Sequence, residues 1–296
     1  MTTATRRRRP PRASALYDVP GPRALRRHRR WGLLCLAAIL ALLALAVWLL
    51  VDTGQFSARK WAPFTYVGIQ ELLLDGLANT LKAFGLAAVL SLALGAVLAV
   101  GRLSDHRPVR WAATLLVEFF RAMPVLVMIF FVYVALRVEP LYALVAGLTL
   151  YNGSVLAEVF RTGVESVDRG QREAAHALGM RKTTVMVHVL APQAVRAMLP
   201  TVISQLVVTL KDTSLGFLIT YEEFLHAGRL IASNLDYDLP FIPVVMVISP
   251  IYIGLCMLLS WVANLVGRRE RRDVRTKGMR RSPRAGTLQA DGGGQG

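Results

Sequence analysis

Cysteine is almost missing from the 296-residue sequence: only Cys35 and Cys256 occur, far apart and each inside an apolar run. That excludes a disulfide framework and a CxxC metal site and leaves both as apolar side chains. Acidic residues are scarce too, 19 Asp and Glu against 35 Lys and Arg, for a formal net charge of +16. The cations sit in two tails and a few short loops instead of lining a folded basic face, so no nucleic-acid partner is expected. The five histidines, at 28, 106, 176, 188 and 226, fall in no HExxH or other ligand spacing, and no metal is expected. There is no GxxxxGK[ST] phosphate loop and no paired nucleophile and base. A self-contained pump is therefore disfavoured, and a membrane-embedded enzyme or a channel stays a distant alternative.

What the sequence has is apolar length. Hydrophobic residues make up 54% of it and the mean hydropathy is +0.45, which points to a bilayer as solvent. A bilayer core needs about 20 apolar residues in helical form. Six stretches meet or approach this: Trp31–Val51, Leu72–Val100, Ala112–Leu136, Leu141–Phe160, Ala194–Ile219 and Phe241–Val266. Lys and Arg near span ends are retained on the cytoplasmic side. The Arg-rich residues 6–30, the connector with Arg102, Arg107 and Arg110, the connector with Arg161, Arg169, Arg172, Arg181 and Lys182, and the tail opening with Arg268 and Arg269 all fall on one side. The loop at 221–239, with Glu222, Glu223, Asp236 and Asp238 against Arg229 alone, falls on the other. Both termini are thus expected in the cytoplasm. The first run is too long for a signal-peptide core, and no small-x-small site follows it, so it reads as a retained anchor. Residues 1–30 and about 275–296 read as unstructured basic tails in contact with anionic lipid.

One connector does not behave as a linker. Residues 165–192 read ESVDRGQREAAHALGMRKTTVMVHVLAP. Gln171–Leu178 is a run of helix formers preceded by Gly170, and Gly179 supplies a stop. Ala174, Ala175 and Ala177 leave a surface without bulky side chains, and Glu173 offers one carboxylate for a partner's cation. The same composition also suits an alanine-rich helix packed beneath its own bundle.

The spacing Glu173-Ala174-Ala175, Gly179, then Val189-Leu190-Ala191-Pro192 resembles the EAA loop of ABC importer permeases, with Val189 and Ala191 as apolar departures from its I-x-L-P ending. Further segments resemble the polar amino-acid subfamily: Gly76–Lys82, Glu118–Pro124, Tyr151–Ser154 with Ala157–Arg161, and Lys211–Leu215. The run at 31–51, Leu16–Pro22 before it and Lys60–Phe64 after it are similar to glutamate-uptake permeases with an N-terminal extension.

The resemblance implies an all-α, polytopic type I ABC importer (MetI-like) core of five helices at 70–267, plus one N-terminal helix at 31–51. It implies a multi-pass subunit of a bacterial cytoplasmic membrane whose substrate is glutamate, or else glutamine, arginine or histidine. Glu173, Ala174, Ala175, Gly179 and Pro192 would couple it to two ATP-binding subunits, on which ATP and Mg are bound. A second homologous permease, or a second copy of this chain, and an extracytoplasmic amino-acid-binding protein complete the implied assembly.

Polar residues inside spans are rare enough to single out. Glu118 and Arg121, three apart, suit a structural ion pair or a substrate contact, and Glu158 with Arg161 suits another pair. Asn152 suits an interhelical hydrogen bond or a substrate contact. Lys211, Asp212, Thr213 and Ser214 form the densest polar cluster of any span, roughly 25 Å beyond its start. They could supply donor and acceptor to an α-amino acid, or lock an outer gate. Lys82 could meet an acidic substrate or snorkel.

Overall fold

The computed structural model describes residues 22–279; the expected tails outside that range, 1–21 and 280–296, lie beyond the described residues. Among the described residues every regular element is helical. The chain divides into two compact units, one ending at Ser57 and the other beginning at Ala58.

The first unit holds α1 (Pro22–Asp52). It starts before the apolar run, so residues 22–30, expected in an unstructured tail, are helical. Leu33, Leu40, Leu43 and Trp48 are exposed on all its sides, the pattern of a helix whose solvent is lipid.

The second unit opens with a short helix, α2 (Ala58–Trp61), and a 3-10 turn (Ala62–Thr65). Then come α3 (Val67–Arg102), α4 (Arg107–Ala122), α5 (Val125–Leu136) and α6 (Pro140–Glu165). Two short helices, α7 (Arg169–Ala177) and α8 (Lys182–Val185), lead through a π turn (Met186–Leu190) into α9 (Ala191–Asp212), which ends in a 3-10 turn (Thr213–Ile219). After α10 (Phe224–Ala232) and a 3-10 turn (Leu235–Tyr237), α11 (Phe241–Met279) closes the unit. It extends past Val266, where the apolar run ends, into the expected tail.

The axis of the unit is the parallel pair α3 and α6. A Cβ built on Gly95 would lie 2.8 Å from the Leu156 Cβ and 3.0 Å from the Gly153 carbonyl, so the two backbones meet where small residues permit it. Ala83 and Ala87 of α3 join Ala143, Leu144 and Leu148 of α6 in the central core.

One expected span is corrected. Ala112–Leu136 is not one helix: α4 and α5 meet at a bend of 101°. Pro124 drives the preceding Met123 out of the helical region, to ψ 135°, because the proline ring crowds a helical neighbour. At 12 residues, α5 is about 18 Å long and cannot cross a core of about 30 Å by itself. It covers one half of α6 through Ile129 against Gly147, while α4 packs Val117 against Leu98 and Ala157 near the other end. Five helices are long and apolar enough to span, or six counting the broken pair, among the described residues.

Candidate functional site

Polar groups collect at the two ends of the α3/α6 axis. At the end where both helices finish, α7 is capped twice. The Gly170 N–H donates to Asp168 Oδ1 at 2.6 Å. At the other terminus Gly179, at φ +75°, lets its own N–H reach the His176 carbonyl and the Met180 N–H reach Ala175. This paired closure needs the left-handed conformation that glycine adopts freely.

The caps fix which face turns out. Ala175 is buried in a cluster with Val164, Val167, Val185, Leu190 and Ala194. Of the two readings open for the alanines, Ala175 follows the second and serves the chain's own packing. Glu173, Ala174 and Ala177 face outward beside Leu178, which is 82% exposed. Among the described residues the Glu173 carboxylate has no ion-pair or hydrogen-bond partner. Pro192 stands in the first turn of α9, where its missing N–H is unneeded. Lys182 of α8 bonds Asp105 in the α3–α4 loop and holds that carboxyl below its ordinary range.

Above α7 lies an ion network. Arg121 and Glu118 pair at 3.6 Å, as their spacing suggests. Arg102 reaches Glu158 at 2.7 Å and Glu118 at 3.5 Å, with a side chain only 10% exposed. Arg161 holds Glu158 through two nitrogens, the shorter at 2.6 Å, and Glu165 at 2.6 Å. Arg102, read as a loop cation from the sequence, is the residue that ties α3, α4 and α6 together.

Mid-span, Asn152 is fully buried. Its Nδ2 donates to the Leu148 carbonyl at 3.0 Å, and its Oδ1 accepts from Gln205 Nε2 at 2.7 Å. The amide is thus an interhelical bond between α6 and α9, to a partner the sequence reading missed.

The Lys211–Ser214 cluster does not converge. Lys211 and Ser214 line an open groove of about 740 Å³ with Ser249, Tyr252, Ser260 and Trp261 of α11. Thr213 turns into the core, donating to the Leu210 carbonyl, and Asp212 is half-buried away from the groove lining. Lys82 is exposed on α3 and does not line it.

At the opposite end, the sequence reading missed the residue on which the packing turns. Glu223 is fully buried and caps α10, accepting the Leu225 N–H at 2.8 Å and the His226 N–H at 2.7 Å. It also accepts the Tyr252 hydroxyl of α11 at 2.8 Å. Next to it the Phe224 N–H donates to Thr80 Oγ1 of α3 at 3.0 Å. Burial pushes the Glu223 carboxyl up from an ordinary 4.5 to about 7, against those three hydrogen bonds. An acidic residue just ahead of an apolar periodic run was the available signal.

Residues 91–272 match the family described as the inner membrane component of binding-protein-dependent transport systems. The chain is 40% identical over 228 residues to the glutamate transport system permease protein GluD of Corynebacterium glutamicum, covering 72% of this chain and 81% of that one. It is 31% identical over 196 residues to the probable glutamine ABC transporter permease protein GlnP of Bacillus subtilis, covering 64% and 90%. Among solved structures, an amino acid ABC transporter with histidines superposes with a TM-score of 0.63 at 29% identity, covering 69% of this chain and 96% of that one.

Proposed function

The chain belongs to the family of inner membrane components of binding-protein-dependent transport systems, and on that premise we propose that it carries glutamate inward under the drive of separate ATPase subunits. It is a permease subunit of an ABC importer for amino acids, a transport component and not an enzyme. The observation that carries the coupling reading is α7: a helix closed at both ends that turns an unpaired Glu173, Ala174 and Ala177 away from its own bundle. A charged group left unpaired on an ordered helix favours a partner that supplies the opposite charge.

In this reading both termini lie in the cytoplasm, and α7 docks on one of two ATP-binding subunits that hold ATP and Mg. The ion network around Arg102 makes the ends of α3, α4 and α6 move as one block, and α7 follows through Ala175, packed against Val164 and Val167. A second permease chain, related or identical, completes the pathway, and an extracytoplasmic binding protein delivers substrate at the α10 end. ATP binding draws the α7 helices together, and the cavity changes the side to which it opens. Gly179 and Pro192 set the geometry of the coupling loop, and Ala175 anchors it. Lys211 and Ser214 face the groove along α11, and Lys211 offers a cation to an acidic substrate; Lys82, Asp212 and Thr213 stand outside it.

Glutamate is favoured by the likeness to the glutamate permease GluD. Uptake of radiolabelled glutamate, glutamine, arginine and histidine by a deletion strain carrying the complete transporter tests it. Glutamate accumulation that an excess of the other three leaves unchanged is expected. Accumulation of one of the others in preference would reassign the substrate.

A further inference from the structure

The loop from α10 to α11 is strained. Asp238 and Leu239 take successive left-handed backbone conformations, at φ +56° and +50°. A leucine is held there only where its surroundings leave no alternative. Part of the restraint is internal: the Asn234 side chain accepts the Asp236 N–H at 2.8 Å, and the Leu239 N–H reaches the Asn234 carbonyl at 3.2 Å.

The rest comes from the segment ahead of α3. Lys60 is 8% exposed, and its ammonium lies 3.4 Å from Asp238 Oδ2. A cation so far removed from water is committed to its counter-ion. Arg59 Nε donates to the Asp236 carbonyl at 3.2 Å, and the rings of Tyr66 and Tyr237 meet at 6.1 Å. The segment is itself tied to α3, where Gln70 Nε2 donates to the Phe64 carbonyl at 2.9 Å. These residues precede the stretch that matches the family, 91–272. What the restraint presents outward is Leu235, 76% exposed, and Leu239, 49% exposed, on either side of Asp236.

We propose that residues 58–66 are a latch that holds loop 233–240 as a preformed docking knob for the soluble binding protein, with Arg59 and Lys60 as positioning residues. The apolar tip beside the exposed Asp236 carboxylate, the one carboxylate of the loop not committed to the latch, fits a hollow edged by Lys or Arg on a binding-protein surface. The side and the partner rest on the function proposed above; the latch itself does not.

The test uses the complete transporter in proteoliposomes, with ATP hydrolysis measured against the concentration of loaded binding protein. Lys60→Ala is expected to raise the half-maximal concentration about fivefold with the maximal rate unchanged, as loss of one partly exposed ion pair allows. Lys60→Arg is expected to restore it. An unchanged half-maximal concentration, or an arginine variant as impaired as the alanine one, overturns the proposal. A second readout is the rate of proteolytic cleavage within 233–240 in the purified full chain, expected to rise in Lys60→Ala. Should Lys60→Ala fail to fold, Asp238→Asn is expected to raise the cleavage rate in the same way. Unchanged cleavage also overturns the latch. If no binding protein stimulates even the unaltered transporter, the proposed function fails, and the cleavage rates still decide the latch.

Discussion

The two ends of the α3/α6 axis hold their helices together by opposite means. At the α7 end six charged side chains, Arg102, Glu118, Arg121, Glu158, Arg161 and Glu165, share five ion pairs, most of them partly open to solvent. At the α10 end a single carboxylate, Glu223, is sealed from solvent and satisfied by two backbone N–H groups and one phenol, with no cation against it among the described residues. A shared network tolerates the loss of a member because the remaining charges re-pair and water screens them. A lone buried acceptor does not, since each donor that it leaves behind stays dry and unpaired.

Glu223→Ala should therefore be the most damaging change. It strands the Leu225, His226 and Tyr252 donors and so removes the cap of α10, at about 3 to 4 kcal/mol, read as a fall in the thermal midpoint of the detergent-solubilised chain. A shift no larger than that of a surface substitution would erase the contrast between the ends.

The pH dependence follows from the same residue. Its folded-state value, about 7, lies above the ordinary 4.5, so the folded chain binds more protons than the unfolded one between those values. Stability falls as pH rises through that window and levels off above it, by about 3 kcal/mol in all. Melting curves across the window should be flatter in Glu223→Gln than in the unaltered chain by about that amount; an unchanged slope would assign it to another group.

At the other end Arg102→Ala should destabilise by about 2 kcal/mol, because Glu158 keeps Arg161 and Glu118 keeps Arg121. Equality with Glu223→Ala in the same melt would mean that the network is not redundant. Asn152→Leu, which removes one interhelical bond between the ends, should shift the melt least, by about 1 kcal/mol.

Much of the scaffold was legible in the sequence because lipid solvent imposes long apolar runs; that α3 and α6 meet at Gly95 was not, since the contact depends on Gly153 and Leu156 of another helix. The break at Pro124 was legible in principle, since Met123-Pro124 carries the stop, but the run of apolar residues on either side concealed it. The Lys211–Ser214 cluster misled through adjacency: consecutive residues on a helix point in different directions, so a row of polar side chains cannot share one face. Only Lys211 and Ser214, three apart, do. The orientation of Ala175 depended on Val164, Val185 and Leu190, and the roles of Arg102, Gln205 and Glu223 on partners 56, 53 and 29 residues away. No local pattern encodes such pairings.

In the function proposed for the chain, α7 is the point where an external motor grips the bundle. The most direct measurement is ATP hydrolysis stimulated by loaded binding protein, together with uptake, in proteoliposomes carrying the Glu173→Lys transporter. Normal membrane insertion with both activities at background is the expected result. Co-purification of the variant with its ATPase and undiminished, substrate-stimulated hydrolysis would contradict it.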